Sequence, residues 1–321
     1  MRLVRYTQGN VEVPRVGAFV NGDSAVVDLC ASYRDSLIED GASRPRATAM
    51  AAAVLGETTD LIEAGSRGLE IARAAIERAE QLGQAIPVAE VALQVPLLPT
   101  RLRDCIAFET HMRNFIVDQR GEEIPPEYYE IPVYYKGNPR TVIGTEEVLT
   151  WPRYSEIWDY ELELGLVLGG DAVDVEAADA EAQIFGLTCF NDFSARDALR
   201  QEVPIGCGPS KAKDFATGIG PCLVTMDEIP DLYDLKMEAR INGETLSTGN
   251  TGEIFWRFDK IIERMSASEP LVPGEIFGSG TVANGCGLEH GRFLTDGDVV
   301  EIEISHIGVL RNQVVAHQTE A

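Results

Sequence analysis

The stretch Trp158-Asp159-Tyr160-Glu161-Leu162-Glu163-Leu164-Gly165-Leu166-Val167-Leu168-Gly169 constrains this chain more than any other segment. Successive side chains on a strand point to opposite faces, so Asp159, Glu161 and Glu163 share one face and Tyr160, Leu162 and Leu164 the other. The run then turns wholly apolar, as a strand does on entering a core. Carboxylates at i and i+2 beside a buried segment repel each other unless a cation lies between them. Two readings fit: the solvated face of an antiparallel strand, or one wall of a metal centre.

Around this segment the chain reads as α+β and rich in β-structure. Short strands are expected at 2–7, 16–20 and 24–29, separated by the turn formers Gly9-Asn10 and Asn21-Gly22-Asp23. Thr58 reads as a helix cap, and Leu69, Ala72, Ile76 and Ala79 recur at helical spacing up to Gly83. A proline-containing connector at 84–98 marks a boundary near residue 95, dividing a smaller α/β N-terminal domain (1–95) from a larger domain (96–321). In the latter, strands are expected at 161–168, 184–190, 221–226, 236–241 and 298–304, with an amphipathic helix at 255–265. Asn242-Gly243 is a hairpin signal. Strands outnumber helices without regular alternation, which disfavours a doubly wound parallel sheet.

The charge balance narrows the partners. Of 321 residues, 27 are Lys or Arg and 52 are Asp or Glu, a formal net charge of −25. Such a surface repels phosphate backbones and anionic membranes, which argues against nucleic-acid and membrane roles. No apolar run approaches the roughly 20 residues of a membrane span, and the first residues lack a signal-peptide core. The six cysteines are scattered without a C-x-x-C, as expected of reduced thiols in a cytoplasmic protein.

Three further features carry possible chemistry. Asp192 closes an apolar strand and precedes Phe193-Ser194-Ala195-Arg196-Asp197, so it is either a helix cap or a functional group at a strand end. His111, one of four histidines, lies in Arg103-Asp104-Cys105-Ile106-Ala107-Phe108-Glu109-Thr110-His111-Met112 and is either structural or catalytic. Two Gly-rich segments, 206–221 and 278–287, lack the order of a phosphate-binding P-loop. Their glycines serve tight turns, or let backbone amides reach a ligand.

Together these elements resemble the fumarylacetoacetate hydrolase superfamily over roughly residues 100–318. The resemblance rests on five motifs in order: an Asp followed seven residues later by a His (Asp104, His111), the Glu161-Leu162-Glu163 strand, Asn191-Asp192-Phe193-Ser194-Ala195-Arg196-Asp197, K-x-F-x-T-x-x-x-P from Lys213 to Pro221, and Gly278-Ser279-Gly280-Thr281. It implies a mixed β-roll or sandwich catalytic domain and a homodimer. It also implies metal ligands at Asp104, Glu161, Glu163 and Asp192, and a general base at His111. Lys213 would hold the developing negative charge. Arg120, Tyr135, Arg196 and Thr281 would contact substrate. In the family's hydrolases a Glu pairs with the catalytic His, and Glu289 is the candidate here. Ile106 and Leu199 stand where the hydrolase pattern has Tyr and Gln.

Four carboxylates without a soft donor favour a hard dication, Mg²⁺ first and Mn²⁺ or Ca²⁺ after it. The expected reaction is hydrolysis of a C–C bond in a small acylpyruvate, 1,3-diketone or 2-keto acid through a metal-stabilised enolate, with water activated by His111. The alternatives on the same site are a 2-keto acid lyase (oxaloacetate decarboxylase, or 2-keto-3-deoxy acid dehydratase or hydratase) and a dienoate isomerase.

Overall fold

The computed structural model describes residues 1–118 and 121–317. Within them, twelve strands join in one mixed sheet and five in a second. The order across the large sheet runs Ile86–Pro87, Ala25–Asp28, Arg15–Val20, Arg2–Gln8, Thr217–Thr225, Ile184–Asn191, Leu162–Leu168, Ile276–Gly278, Leu102–Cys105 and Tyr134–Lys136. The sheet therefore passes unbroken from the first ninety-five residues into the rest of the chain, through the antiparallel pairing of Arg2 with Val224 and Leu3 with Leu223. The class is α+β, as the pattern of elements predicts.

Period-two alternation sorts the side chains of the large sheet into two cores. Leu162, Leu164, Leu166, Leu168, Leu187 and Val224 pack with Met237, Ala239, Ile302 and Leu310 of the second sheet. Val167, Phe190, Ile219, Leu223 and Ile276 face the other way and pack with Leu29, Leu55, Leu61, Ile71 and Ala72 of the N-terminal helices. Helices thus cover one face and a second sheet the other. Glu163 lies on the same alternation as Val167, so the motif strand carries its carboxylates on the helix-side face while its leucines fill the sandwich. Truncating one of those buried leucines to Ala costs about 2–5 kcal/mol in cores of this kind.

Local sequence explains most elements, with two corrections. Thr58 is the first residue of the helix Thr58–Glu63 and not its cap; Glu57 is the cap, and its N–H is bound by Asp60 Oδ2 at 2.8 Å. The Thr58 hydroxyl instead donates to the carbonyl of Pro96 at 2.7 Å, tying the helix to the connector. In the helix Gly65–Gln81 the buried stripe is Gly68, Ile71, Ala72, Ala75 and Ala79, with Leu69 and Ile76 only half-buried. Small residues face inward because the helix Leu29–Glu39 packs close: the Ser32 hydroxyl donates to the carbonyl of Ala75 at 2.7 Å. The Asn242-Gly243 turn joins Lys236–Ile241 to Glu244–Asn250 with φ of 53° and 80°, positive at both positions as a type I′ turn requires. No described helix is long and apolar enough to cross a membrane.

A net charge of −25 repels itself in the folded state, and salt screens that repulsion as the Debye length falls from about 10 Å at ~0.1 M to about 3 Å at ~1 M. The melting temperature is expected to rise by several degrees over that range of NaCl; a scanning-calorimetry series with constant or falling Tm would contradict this.

Candidate active site and metal centre

Four neighbouring strands of the large sheet bring the acidic motifs to one place. Asp104 lies third in Leu102–Cys105, Glu161 immediately precedes and Glu163 lies second in Leu162–Leu168, and Asp192 follows Ile184–Asn191. Between Asp104 and Glu163 lies the strand Ile276–Gly278, where Gly278 pairs directly with Asp104. A Cβ at Gly278 would meet Asp104 Oδ1 and Glu163 Oε2, so the missing side chain is the gap through which the two carboxylates approach. One oxygen each from Asp104, Glu161, Glu163 and Asp192 lies within 4.8 Å of all the others, and all four residues are buried.

Burying carboxylates this close is costly unless charge and hydrogen bonds compensate, at several kcal/mol per ion. Lys213 Nζ reaches Glu161 Oε2 at 2.6 Å and Asp192 Oδ2 at 2.5 Å. The Arg196 guanidinium donates to Glu161 Oε1 and to Asp159 Oδ2, each at 2.7 Å. Tyr135 donates its hydroxyl to Asp192 Oδ2 at 2.6 Å. Glu163 accepts from the Gly280 N–H at 3.0 Å and the Thr281 hydroxyl at 3.3 Å. Burial opposes ionisation of Glu161, but Lys213 and Arg196 prevail and hold its pKa at about 2. Burial likewise opposes the charge on Lys213, and Asp192 with Glu161 outweighs it, keeping the ammonium protonated. Lys213 is thus a cation paired with both carboxylates.

The compensation is incomplete, and the shortfall fits a metal. Asp104 and Glu163 are pushed well above the usual carboxylate range: burial comes first for both, then repulsion from Asp192 for Asp104 and from Asp104 for Glu163. Asp192 gives Oδ2 to Lys213 and Tyr135, while its Oδ1 is buried without a hydrogen-bond partner. Five buried carboxylates, Asp159 included, face two buried cations. An all-oxygen donor set with excess negative charge and an orphaned carboxylate oxygen suits a hard dication.

Beside this cluster stands His111, the base that the resemblance implies. His111, on the short helix Glu109–Met112, places Nδ1 3.2 Å from Glu289 Oε2. The contact has ion-pair distance but is off the line of a well-aligned hydrogen bond, a common state of catalytic pairs before substrate binds. Glu289 is fixed through its other oxygen, which accepts from Asn114 Nδ2 at 2.7 Å and the Asn284 N–H at 3.1 Å. Burial opposes ionisation of Glu289 too, yet His111 and Asn114 hold its carboxyl below the usual range.

The structure thus brings Asp104, His111, Tyr135, Glu161, Glu163, Asp192, Arg196, Lys213, Thr281 and Glu289 together; Arg120 lies outside the described residues. The polar ends of Tyr135, Arg196 and Thr281, expected at substrate, are engaged by Asp192, by Asp159 with Glu161, and by Glu163, because buried carboxylates demand donors. Sequence reasoning assigned no role to Asp159. It accepts from Arg196 and from the N–H groups of Gly287 (2.7 Å) and Leu288 (3.0 Å), opening the short helix that carries Glu289. Its place on the Glu161–Glu163 face was the available signal. Asn114, three residues after His111, had none.

The chain matches the model of the fumarylacetoacetate (FAA) hydrolase C-terminal region over residues 103–315. It is 29% identical over 266 residues to the oxaloacetate tautomerase YisK of Bacillus subtilis, covering 81% of this chain and 86% of that protein. Among solved structures it shares the fold of a fumarylacetoacetate hydrolase from Exiguobacterium antarcticum (TM-score 0.74, 24% identity, 99% of this chain and 100% of that one). It also shares that of the maleylpyruvate hydrolase of Sphingobium sp. SYK-6, solved with manganese(II) and pyruvate (TM-score 0.71, 24% identity, the same coverage).

Two outcomes are expected. Gly278→Ala closes the gap between Asp104 and Glu163, so calorimetric titration with Mg²⁺ or Mn²⁺ should show loss of saturable binding with an unchanged circular dichroism spectrum. The second concerns protein stripped of divalent metal by a chelator. Because the folded-state pKa values of Asp104 and Glu163 are raised, the stability from their protonation is complete below the ordinary carboxylate range and lost as pH rises through the raised values. The Tm of stripped protein should therefore fall as pH rises above the ordinary carboxylate range, and saturating Mg²⁺ should remove most of the fall. The opposite contribution, from Glu161, is lost only as pH falls toward 2.

Proposed function

The chain belongs to the fumarylacetoacetate hydrolase family, and on that premise we propose that it hydrolyses a C–C bond of a small acylpyruvate or related 1,3-diketone. The reading rests on one observation above others: the Glu289–His111 pair at 3.2 Å beside the four-carboxylate cluster, which is the pairing the family's hydrolases use. Asp104, Glu161, Glu163 and Asp192 would hold a divalent cation, Mg²⁺ first. When bound there, the cation supplies Lewis-acid polarisation of the substrate's carbonyl oxygens.

The chain's own groups do the rest. With Glu289 facing Nδ1, the imidazole proton is assigned to that nitrogen and Nε2 is left free to accept. His111 takes a proton from water at Nε2 as the water oxygen adds to the distal carbonyl carbon, and returns it to the carbon that leaves. Glu289 stabilises the imidazolium between those two transfers. Lys213, held protonated, offers positive charge to the oxygen that becomes anionic. Arg196 and Tyr135 fix the orientation of Glu161 and Asp192. The six free cysteines suit a reducing, cytoplasmic setting.

A second reading is favoured by the 29% identity to an oxaloacetate tautomerase over 81% of the chain. On it, His111 moves a proton at the carbon next to a 2-keto group instead of from water, giving keto–enol isomerisation or, with loss of CO₂, decarboxylation. Product analysis separates them. Hydrolysis releases a second carboxylic acid from an acylpyruvate, decarboxylation releases CO₂ from oxaloacetate, and tautomerisation changes only the enol absorbance. On the active substrate, His111→Ala should lower kcat by about 10²–10⁴-fold with Mg²⁺ affinity retained, and Glu289→Gln by less. Full turnover in His111→Ala would remove the base assignment.

A further inference from the structure

A second convergence of ligating side chains lies next to the carboxylate centre and is chemically unlike it. One ligand atom each from His111, Cys286 and Glu289 lies within 4.8 Å of the other two. Cys286 Sγ is 3.3 Å from Glu289 Oε2, the same oxygen that faces His111 Nδ1 at 3.2 Å. That oxygen is aimed at the trio because the other one is fixed by Asn114 and by the Asn284 N–H. His111 Nδ1 sits close to Glu289 without an aligned hydrogen bond, so its nitrogen is near a donor set it does not fully use. The cysteine pairs with Glu161 across an isolated antiparallel bridge, which sets the trio beside the four-carboxylate cluster.

The donors are one imidazole nitrogen, one sulfur and one carboxylate oxygen. Three protein ligands of this mixed kind, with a fourth position left to solvent, are what zinc takes, whereas the neighbouring all-oxygen set suits Mg²⁺. The reaction proposed above gives Cys286 no chemical step. We propose that His111, Cys286 and Glu289 form a second, zinc-type metal site, and that filling it silences the enzyme by withdrawing His111 from proton transfer. The two centres then sort cations by softness: a hard ion supports turnover and a borderline one blocks it. Only the inhibitory half of this inference rests on His111 being the base; the binding half does not.

The test uses full-length protein with exposed Cys207 replaced by Ser, saturated with Mg²⁺, and titrated with Co²⁺ as a spectroscopic substitute for Zn²⁺. One equivalent should produce a near-ultraviolet thiolate-to-cobalt band, and Cys286→Ser should abolish it. X-ray absorption on the zinc-loaded protein needs no further variant and should show one sulfur at about 2.3 Å. In turnover assays Zn²⁺ should inhibit in the presence of saturating Mg²⁺. In Cys286→Ser, with rates normalised to its own uninhibited value, the half-inhibiting concentration should rise by more than the roughly 10–100-fold that loss of an outer-shell partner costs. Absence of the band and of the sulfur shell overturns the site, whether or not acylpyruvates are substrates. A band that persists in Cys286→Ser overturns it equally. A normal band with undiminished turnover overturns the inhibitory half.

Discussion

The cost of holding like charges in a dry interior governs this structure. Asp104, Asp159, Glu161, Glu163 and Asp192 are all buried, and isolated carboxylates in such a place would stay neutral or unfold the site. The fold answers with two fixed cations, a tyrosine hydroxyl, a threonine hydroxyl and backbone N–H groups. Their common destination follows from electrostatics: every donor within reach of an uncompensated carboxylate is drawn to it.

That demand also orders the parts functionally. Arg196 links Glu161 to Asp159, and Asp159 holds the N–H groups that open the helix carrying Glu289. Glu289 in turn faces His111 Nδ1 at 3.2 Å. The carboxylate cluster and the helix carrying Glu289 are therefore joined by a continuous chain of hydrogen bonds and not merely adjacent. Their relative placement is held by residues that themselves carry no proton in the proposed reaction, in the way outer partners orient ligands at metal sites generally.

Several parts of the site were legible before any fold was known. The alternation of Glu161 and Glu163 against Tyr160 and Leu162 predicts a strand with one acidic face, and that is how the residues lie. The ordered motifs name Asp104, Asp192 and Lys213, and the resemblance offers Glu289 as the partner of His111. Less was legible where one residue's role depends on a distant partner. Asp159 shares the acidic face yet binds an arginine and a helix end; Cys286 sits in a Gly-rich segment that names no partner for it, and Asn114 in a segment with no local signature. The mistaken cap at Thr58 has the same origin: its hydroxyl is claimed by Pro96 across the fold, and a propensity rule sees only neighbours in sequence.

The sequence by itself determined the class of elements, the two faces of the motif strand and the identity of the acidic donors, because these depend on period, residue type and local turn chemistry. Tertiary structure decided which donors meet. Gly278 illustrates the division. In the sequence it is the first glycine of a Gly-Ser-Gly-Thr loop, fit for a turn or a ligand. In the fold it lies on the strand between Asp104 and Glu163, and its missing side chain is the space in which two carboxylates from different strands come together. No spacing along the chain encodes that gap, since it exists only once the Leu102–Cys105 and Leu162–Leu168 strands have both paired with Ile276–Gly278.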